Sequence, residues 1–241
     1  MQAEAIEKHF GGVRALAGVD LAIYPSRVVG LVGDNGAGKS TLIKILAGAL
    51  QPDGGRILFA GRRVSIRNPR YARELGIETV YQNLALVDRM DAAANIFLGR
   101  EPAWRPIPGV NVVNRRRMRE QAADLLSRLS IRIDSLAAPV STLSGGQRQS
   151  VAISRAISTT PKVVLLDEPT AALGVAEAAR VLELIARLRD QGIGIVLISH
   201  TLQHVFAAAD DIVVLHRGTK VFEAAAARTT MDEVVRQIVG G

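Results

Sequence analysis

Three short runs in this chain are apolar at every position: Val28-Val29-Gly30-Leu31-Val32, Val163-Val164-Leu165-Leu166 and Ile193 to Ile198. A run without polar alternation suits a strand buried on both faces, as in a parallel sheet. Between the runs the spacing becomes helical. Leu42, Ile43, Ile45 and Leu46 follow the first run, and Val181, Leu184, Ile185 and Leu188 form one stripe of a helix predicted over 177–191, stopped by Gly192. Residues 1–25 read differently. Val19, Leu21 and Ile23 alternate with Asp20, Ala22 and Tyr24 behind a Gly11-Gly12 turn, which predicts strand–turn–strand, and Pro25-Ser26 turns the chain into the first apolar run.

The remaining punctuation fits an α/β alternation. Residues 56–62 predict a strand and turn, and Asn68-Pro69-Arg70 opens a short helix for which Gly76 is the C-cap. Ile77 to Tyr81 is β-prone. From about 84 to 158 the pattern predicts helices and loops with no strand, broken at Pro102, Pro106, Pro108 and Gly109, with an amphipathic helix over 118–129. Asp211 to Leu215 and Lys220 to Phe222 predict a hairpin across Arg217-Gly218, and 229–239 a closing helix. The expected organisation is one domain over 1–241: an α/β core at 1–83 and 159–241, and a helical insertion at 84–158.

Composition narrows the chemistry. With 241 residues, 48% hydrophobic, the chain is long enough to bury a full core. It has no cysteine, so thiolate metal sites and disulfides are excluded, and its four histidines lack zinc spacing. No apolar run approaches the ~20 residues of a membrane span, and residues 1–8 lack the apolar core of a signal peptide. The reading is a soluble, intracellular protein. The net charge of +7 is spread along the chain, with no nucleic-acid motif to gather it; 100–132 hold eight arginines against three acids.

The chemistry is concentrated in a few stretches. Gly33-Asp34-Asn35-Gly36-Ala37-Gly38-Lys39-Ser40-Thr41 matches G-x-x-x-x-G-K-[ST] between a strand and a helix, the context a phosphate-cradling P-loop needs. Glycines let backbone N–H groups turn inward onto phosphate oxygens, Lys39 reaches the β- and γ-phosphates, and the Ser40 hydroxyl sits on Mg²⁺. Val163 to Leu166 run into Asp167-Glu168, a strand ending in carboxylates: Asp167 to hold Mg²⁺ through water, Glu168 to orient or deprotonate the attacking water. Gln82 and His200 stand at ends of predicted strands, where ligands of open α/β sheets bind. Phe10, upstream of the P-loop, suits either stacking on a purine base or filling the core. Ser144-Gly145-Gly146-Gln147 before a helix makes a second phosphate site, from a capping hydroxyl and free backbone donors. Two such sites over a hundred residues apart serve one γ-phosphate only if they meet in space.

P-loop, strand-end glutamine, Leu143-Ser144-Gly145-Gly146-Gln147, apolar-Asp-Glu and strand-end histidine, in this order, resemble the ATP-binding cassette (ABC) ATPases over nearly the whole chain. The resemblance implies a P-loop NTPase core with a parallel sheet, a small antiparallel β subdomain and an inserted helical subdomain. It implies adenine stacking by Phe10, Mg²⁺ contact and γ-phosphate sensing by Gln82, catalysis by Glu168, His200, Lys39 and Gln82, and ATP hydrolysis by direct water attack. It also implies two cassettes paired head to tail, as a homodimer, each ATP lying between one Walker A loop and the partner's 144–147. Phe10 to Leu16, Gly76 to Gln82, Asn95 to Arg100 and Glu168 to Gly174 resemble bacterial sugar importers of the ribose/xylose/fructose class, most of all the single-cassette fructose-type branch. That implies a transmembrane permease, an indirectly linked periplasmic sugar-binding protein, no nucleic acid, and a peripheral place on the cytoplasmic face of a bacterial inner membrane. Branched-chain amino-acid cassettes share the Phe-Gly-Gly start, and soluble ABC proteins share the ATPase. Gly174 stands where most cassettes have Asp.

Overall fold

Each of the three apolar runs is a strand in the computed structural model, which describes residues 1–107, 110–133 and 135–240. In chain order the first half is β1 (Gln2–Phe10), β2 (Val13–Ala22), β3 (Val28–Val32), α1 (Lys39–Leu46), β4 (Gly54–Phe59), β5 (Arg62–Val64), α2 (Pro69–Leu75), β6 (Ile77–Val80), α3 (Ala92–Ile96), β7 (Ala103–Ile107), β8 (Val110–Val113) and α4 (Arg115–Arg128). Then come α5 (Gly145–Ile157), β9 (Val163–Asp167), α6 (Val175–Asp190), β10 (Gly194–Ile198), α7 (Leu202–Ala208), β11 (Asp211–His216), β12 (Thr219–Ala225) and α8 (Met231–Gly240).

The principal sheet has the order β12-β11-β3-β10-β9-β6, parallel from β11 through β6, with β12 antiparallel at one edge. Its inner strands β11, β3, β10 and β9 bury both faces, so alternate side chains enter different cores. Val29 and Leu31 face α1 and the apolar side of a second, antiparallel sheet of order β2-β1-β4-β5, including Ile6, Leu16, Val19 and Leu21. α1 is therefore held between two sheets. Val28, Val164, Leu166 and Leu197 face the other way, into a core shared with α3, α4, α5 and α6. The helices of 84–158 thus close one face of the parallel sheet and have no core of their own. Val32, Ile212 and Val214 meet Val205 of α7 and Val234 of α8.

Local signals act as their chemistry requires. Asn68 caps α2 by accepting from the Tyr71 N–H, Pro69 is at its first turn, and Gly76 ends it at φ 89°. One expectation is corrected: 84–158 are not strand-free, because β7 and β8 pair antiparallel with Trp104 opposite Val112. Pro106 falls within the register shift between Trp104 and Ile107, where the pairing is interrupted. The β-branched run Val110-Asn111-Val112-Val113 was the signal; Pro108 and Gly109 lie outside the described residues.

Register sets the site. Ile198 pairs with both Leu31 and Asp167, and Val80 with Leu166, so the residues after β3, β6, β9 and β10 all emerge at one edge of the sheet. β10 separates the P-loop strand from the Asp-Glu strand, bringing His200 between them.

Candidate nucleotide site

Gly33, Gly36 and Gly38 have φ of 143°, 81° and 102°. A Cβ at Gly33 would lie 2.1 Å from the Leu215 carbonyl oxygen, and one at Gly38 2.7 Å from that of Ala15, so the loop is both left-handed and tightly walled. It leads into α1, whose N-cap is Gly38 and which has no side-chain cap. The N–H groups of that first turn have no partners within the helix and point their dipole at the loop's hollow. Lys39 is 6% exposed, and its ammonium donates to the carbonyls of Gly33 (2.6 Å) and Asp34 (2.8 Å). Burial lowers its pKa, against the pull of Glu168, Asp34 and Asp167. The hollow measures about 300 Å³, walled by residues 35–41 together with Gln82, Asp167, Glu168 and His200.

Across the cleft, Glu168 sits in left-handed backbone (φ 53°), fixed by its N–H donating to the Ile198 carbonyl at 3.0 Å. Such a conformation costs a non-glycine residue on the order of 1 kcal/mol or more. Its carboxylate is 11% exposed; Oε2 accepts from the His200 N–H at 3.4 Å, and His200 Nε2 lies 3.3 Å from Oε1. That contact lacks hydrogen-bond geometry, and Oε1 is buried with no hydrogen-bond partner. Burial pushes the Glu168 carboxyl above its ordinary range, chiefly opposed by His200. Asp167 is also raised by burial, with Lys39, Lys44 and His200 opposing. The cleft therefore holds one ammonium, two reluctant carboxylates and a row of open N–H donors. Such a site accepts a polyanion and the cation that travels with it.

Gln82 reaches the cleft from the loop after β6, and that loop is tied down from behind. The Arg155 guanidinium, near the end of α5, donates to the carbonyls of Leu84 (2.6 Å) and Ala85 (2.9 Å). Buried Asn95 donates to the carbonyls of Val87 (3.1 Å), Met90 (3.3 Å) and Asp91 (3.1 Å). α5 is thus hydrogen-bonded directly to the backbone that follows Gln82.

The other predicted residues lie elsewhere. Asp34 contributes its carbonyl to Lys39, and its side chain is exposed. Phe10 is 48% exposed, with the Lys8 ammonium 5.7 Å from its ring centre, and is not among the residues lining the cleft. Ser144, Gly145, Gly146 and Gln147 are also absent from that lining. They begin α5 with a complete capping box: Ser144 Oγ accepts from the Gln147 N–H at 3.3 Å and the Gln147 side chain accepts from the Ser144 N–H at 3.1 Å. Ala15 and Ile198 line the cleft unforeseen. Nothing local marks Ala15, because its place depends on β2 folding back over the P-loop.

Residues 16–171 match the family described as ABC transporter. The chain is 45% identical to the xylose/arabinose import ATP-binding protein of Sulfolobus acidocaldarius, over 95% of this chain and 89% of that protein. It is 45% identical to the fructose import ATP-binding protein of Rhizobium meliloti, over 100% and 94%. A ribose import ATP-binding protein of Rubrobacter xylanophilus is 44% identical over the whole of this chain, which spans 47% of that protein. Among solved structures, a nucleotide-free ATP-binding cassette from an ABC transporter has a TM-score of 0.83 at 28% identity, covering 100% of this chain and 94% of that one. An ADP conformation of such a cassette gives 0.82 at 28%, covering 99% and 94%. With its P-loop, paired carboxylates and capped Ser-Gly-Gly helix now placed, the chain belongs to the ABC transporter family, as one of its ATPase cassettes.

Proposed function

We propose that this cassette is the ATP-hydrolysing subunit of a monosaccharide importer for a sugar such as fructose, ribose or xylose, working as a homodimer on the cytoplasmic face of a permease. The observation that carries the mechanism is the separation of the two helix starts. The cleft holds Lys39, Asp167 and Glu168, but no residue of 144–147 lines it. A second copy, arranged head to tail, supplies the missing donors at each of two equivalent sites. The import reading is supported by the single-cassette relatives, of which this chain spans 89% and 94%.

In this reading the residues divide the work. The N–H groups of 36–41 and the Lys39 ammonium bind the β- and γ-phosphates, the lysine exchanging its two carbonyl partners for phosphate oxygens. Glu168 Oε1, buried and without a donor, accepts the proton of a water aligned on the γ-phosphate; its elevated pKa suits a general base near neutrality. His200 and Gln82 orient phosphate and water. Among the described residues no cluster of His, Asp and Glu could hold a metal by itself, which fits a cation that arrives with its nucleotide. Ser40 and Asp167 supply the hard oxygen donors for Mg²⁺, which neutralises phosphate charge when bound, and Gln82 stands beside them. No helix among the described residues is long and apolar enough to cross a membrane, so the passage itself belongs to the permease.

The test is a pull-down of the tagged chain from detergent-solubilised membranes of its host. A polytopic permease with about two cassettes per complex, and a co-purifying binding protein that takes up sugars, is the expected result. Recovery with ribosomes or nucleic acid, or wholly outside the membrane fraction, overturns the transport reading and leaves the ATPase.

A further inference from the structure

The donors at the start of α5 are not idle in the single chain. The Gly146 N–H donates to Oε1 of Glu177 at 3.4 Å, and Glu177 Oε2 lies 3.8 Å from where a Gly145 Cβ would stand. A Cβ at Gly146 would fall 3.0 Å from the Glu177 Cβ, so this side chain is seated flush against the glycine backbone. The Ser144 hydroxyl, foremost, and the Gly146 and Gly174 N–H groups hold the Glu177 carboxyl below its ordinary range. Glu177 lies in the first turn of α6, whose N-cap is Gly174. There is no side chain at 174 to cap that helix, and Glu177 reaches across to α5. Neither α1 nor α5 has an acidic residue in its own first turn. The carboxylate at the start of α5 is therefore supplied from another element.

The geometry points to Glu177 as an internal stand-in for phosphate: it holds the Gly146 donor in the single chain and is displaced when the partner's nucleotide phosphate arrives. This rests on the reading that 144–146 meet the partner's ATP. A carboxylate and a γ-phosphate cannot both take these donors without like-charge repulsion, and the phosphate has the greater charge and more acceptor oxygens. The displaced carboxylate has somewhere to go. Glu177 and the donors share a depression of about 360 Å³ that is also lined by Arg132, by Arg180 one helical turn after Glu177, and by Arg187, which is paired with Glu183 at 3.2 Å. Glu177 acts as a positioning residue that keeps the start of α5 shaped for an anion and opposes dimer closure until ATP is present.

The experiment uses the full chain carrying Glu168→Gln, which binds ATP without turnover, and reads by light scattering the ATP concentration at half-maximal dimer. Adding Glu177→Gln, which keeps the size but removes the charge, or Glu177→Ala is expected to lower that midpoint about fivefold or more. An unchanged midpoint overturns the proposal. So does a raised midpoint with a lower melting temperature, which identifies Glu177 as a structural prop. If no variant dimerises with ATP, the head-to-tail reading falls and this inference with it; a dimer with an unmoved midpoint removes only the inference.

Discussion

Two helix starts in this cassette are built to meet phosphate, and they are finished differently. α1 has no side-chain cap, opens from a glycine at φ 102°, and faces a cleft where its lysine rests on loop carbonyls. α5 has a full capping box and an acidic side chain from α6 on its Gly146 N–H. The first is left unsatisfied and depends on its ligand; the second is satisfied by its own chain. That asymmetry suits a motor whose nucleotide binds one subunit first and recruits the second afterwards. The open N–H groups of α1 take a ligand without giving up bonds of their own, only the lysine exchanging partners, whereas a self-satisfied helix start responds only when a stronger anion is offered.

The largest expected effect lies wholly on the α1 side. Glu168→Gln removes the one buried oxygen left for a water proton and leaves the phosphate donors untouched. Turnover should fall about 10³-fold, some 4 kcal/mol in the barrier, with ATP binding retained. Phosphate-release and nucleotide-binding assays on the same variant check this. Parallel losses of binding and turnover would mean that Glu168 shapes the cleft and does not act as base.

A matched pair of glycine replacements comes next. Gly38→Ala places a Cβ 2.7 Å from the Ala15 oxygen at φ 102°, and should cost about 2 kcal/mol and most nucleotide binding. Gly145→Ala places one 3.0 Å from a movable Leu173 methyl, in ordinary helical backbone, and should change stability by less than about 0.5 kcal/mol. Urea denaturation of both measures the contrast. Equal penalties would erase the distinction between an open, strained start and a closed, regular one.

How far the sequence carried this comparison depends on the range of the interactions. The P-loop glycines, the strand ending in Asp167-Glu168 and the Ser144–Gln147 box are local, each needing only a few neighbouring residues, and they read directly. The position of β10 between β3 and β9 does not, because strand order arises from packing many residues apart, and without it His200 cannot be placed beside Glu168. The hold of Arg155 on Leu84 and Ala85 spans some seventy residues and left no periodicity to find. Pro106 and Pro108 carry a local breaker signal stronger than the β-branched signal of the residues around them, which hides β7 and β8. Glu177 was legible as a helix start, but its reach to Gly146 was not.

Caps give a smaller difference. Ser144→Ala removes the hydroxyl that caps Gln147, and should cost about 1 kcal/mol, lowering the melting temperature by about 2–4 °C. α1 has no comparable side-chain cap to lose, so Ser40→Ala should leave the melting temperature without nucleotide nearly unchanged while weakening Mg²⁺-dependent binding. Calorimetry with and without Mg·ATP separates the two. A stability loss at Ser40 matching that at Ser144 would show that α1 is no less finished than α5.

The smallest effect is on pH. Asp167 and Glu168 are both raised by burial, so the folded chain binds protons more readily than the unfolded one, and the two groups favour folding most below the ordinary carboxylate pKa, near 4. That contribution is lost as pH rises through their elevated values. Asp167→Asn should therefore raise the melting temperature at pH 7.5 by about 2 °C, an advantage that fades as the buffer is taken toward about pH 4. Glu177 has the opposite sign. Its carboxyl is held low by the donors of α5 and Gly174, so its contribution is present above the ordinary glutamate pKa and lost on acidification. Glu177→Gln should show no gain at pH 7.5. If both replacements stabilise the chain at neutral pH alike, the carboxylate on α5 is as poorly accommodated as those in the cleft, and the two helix starts are alike after all.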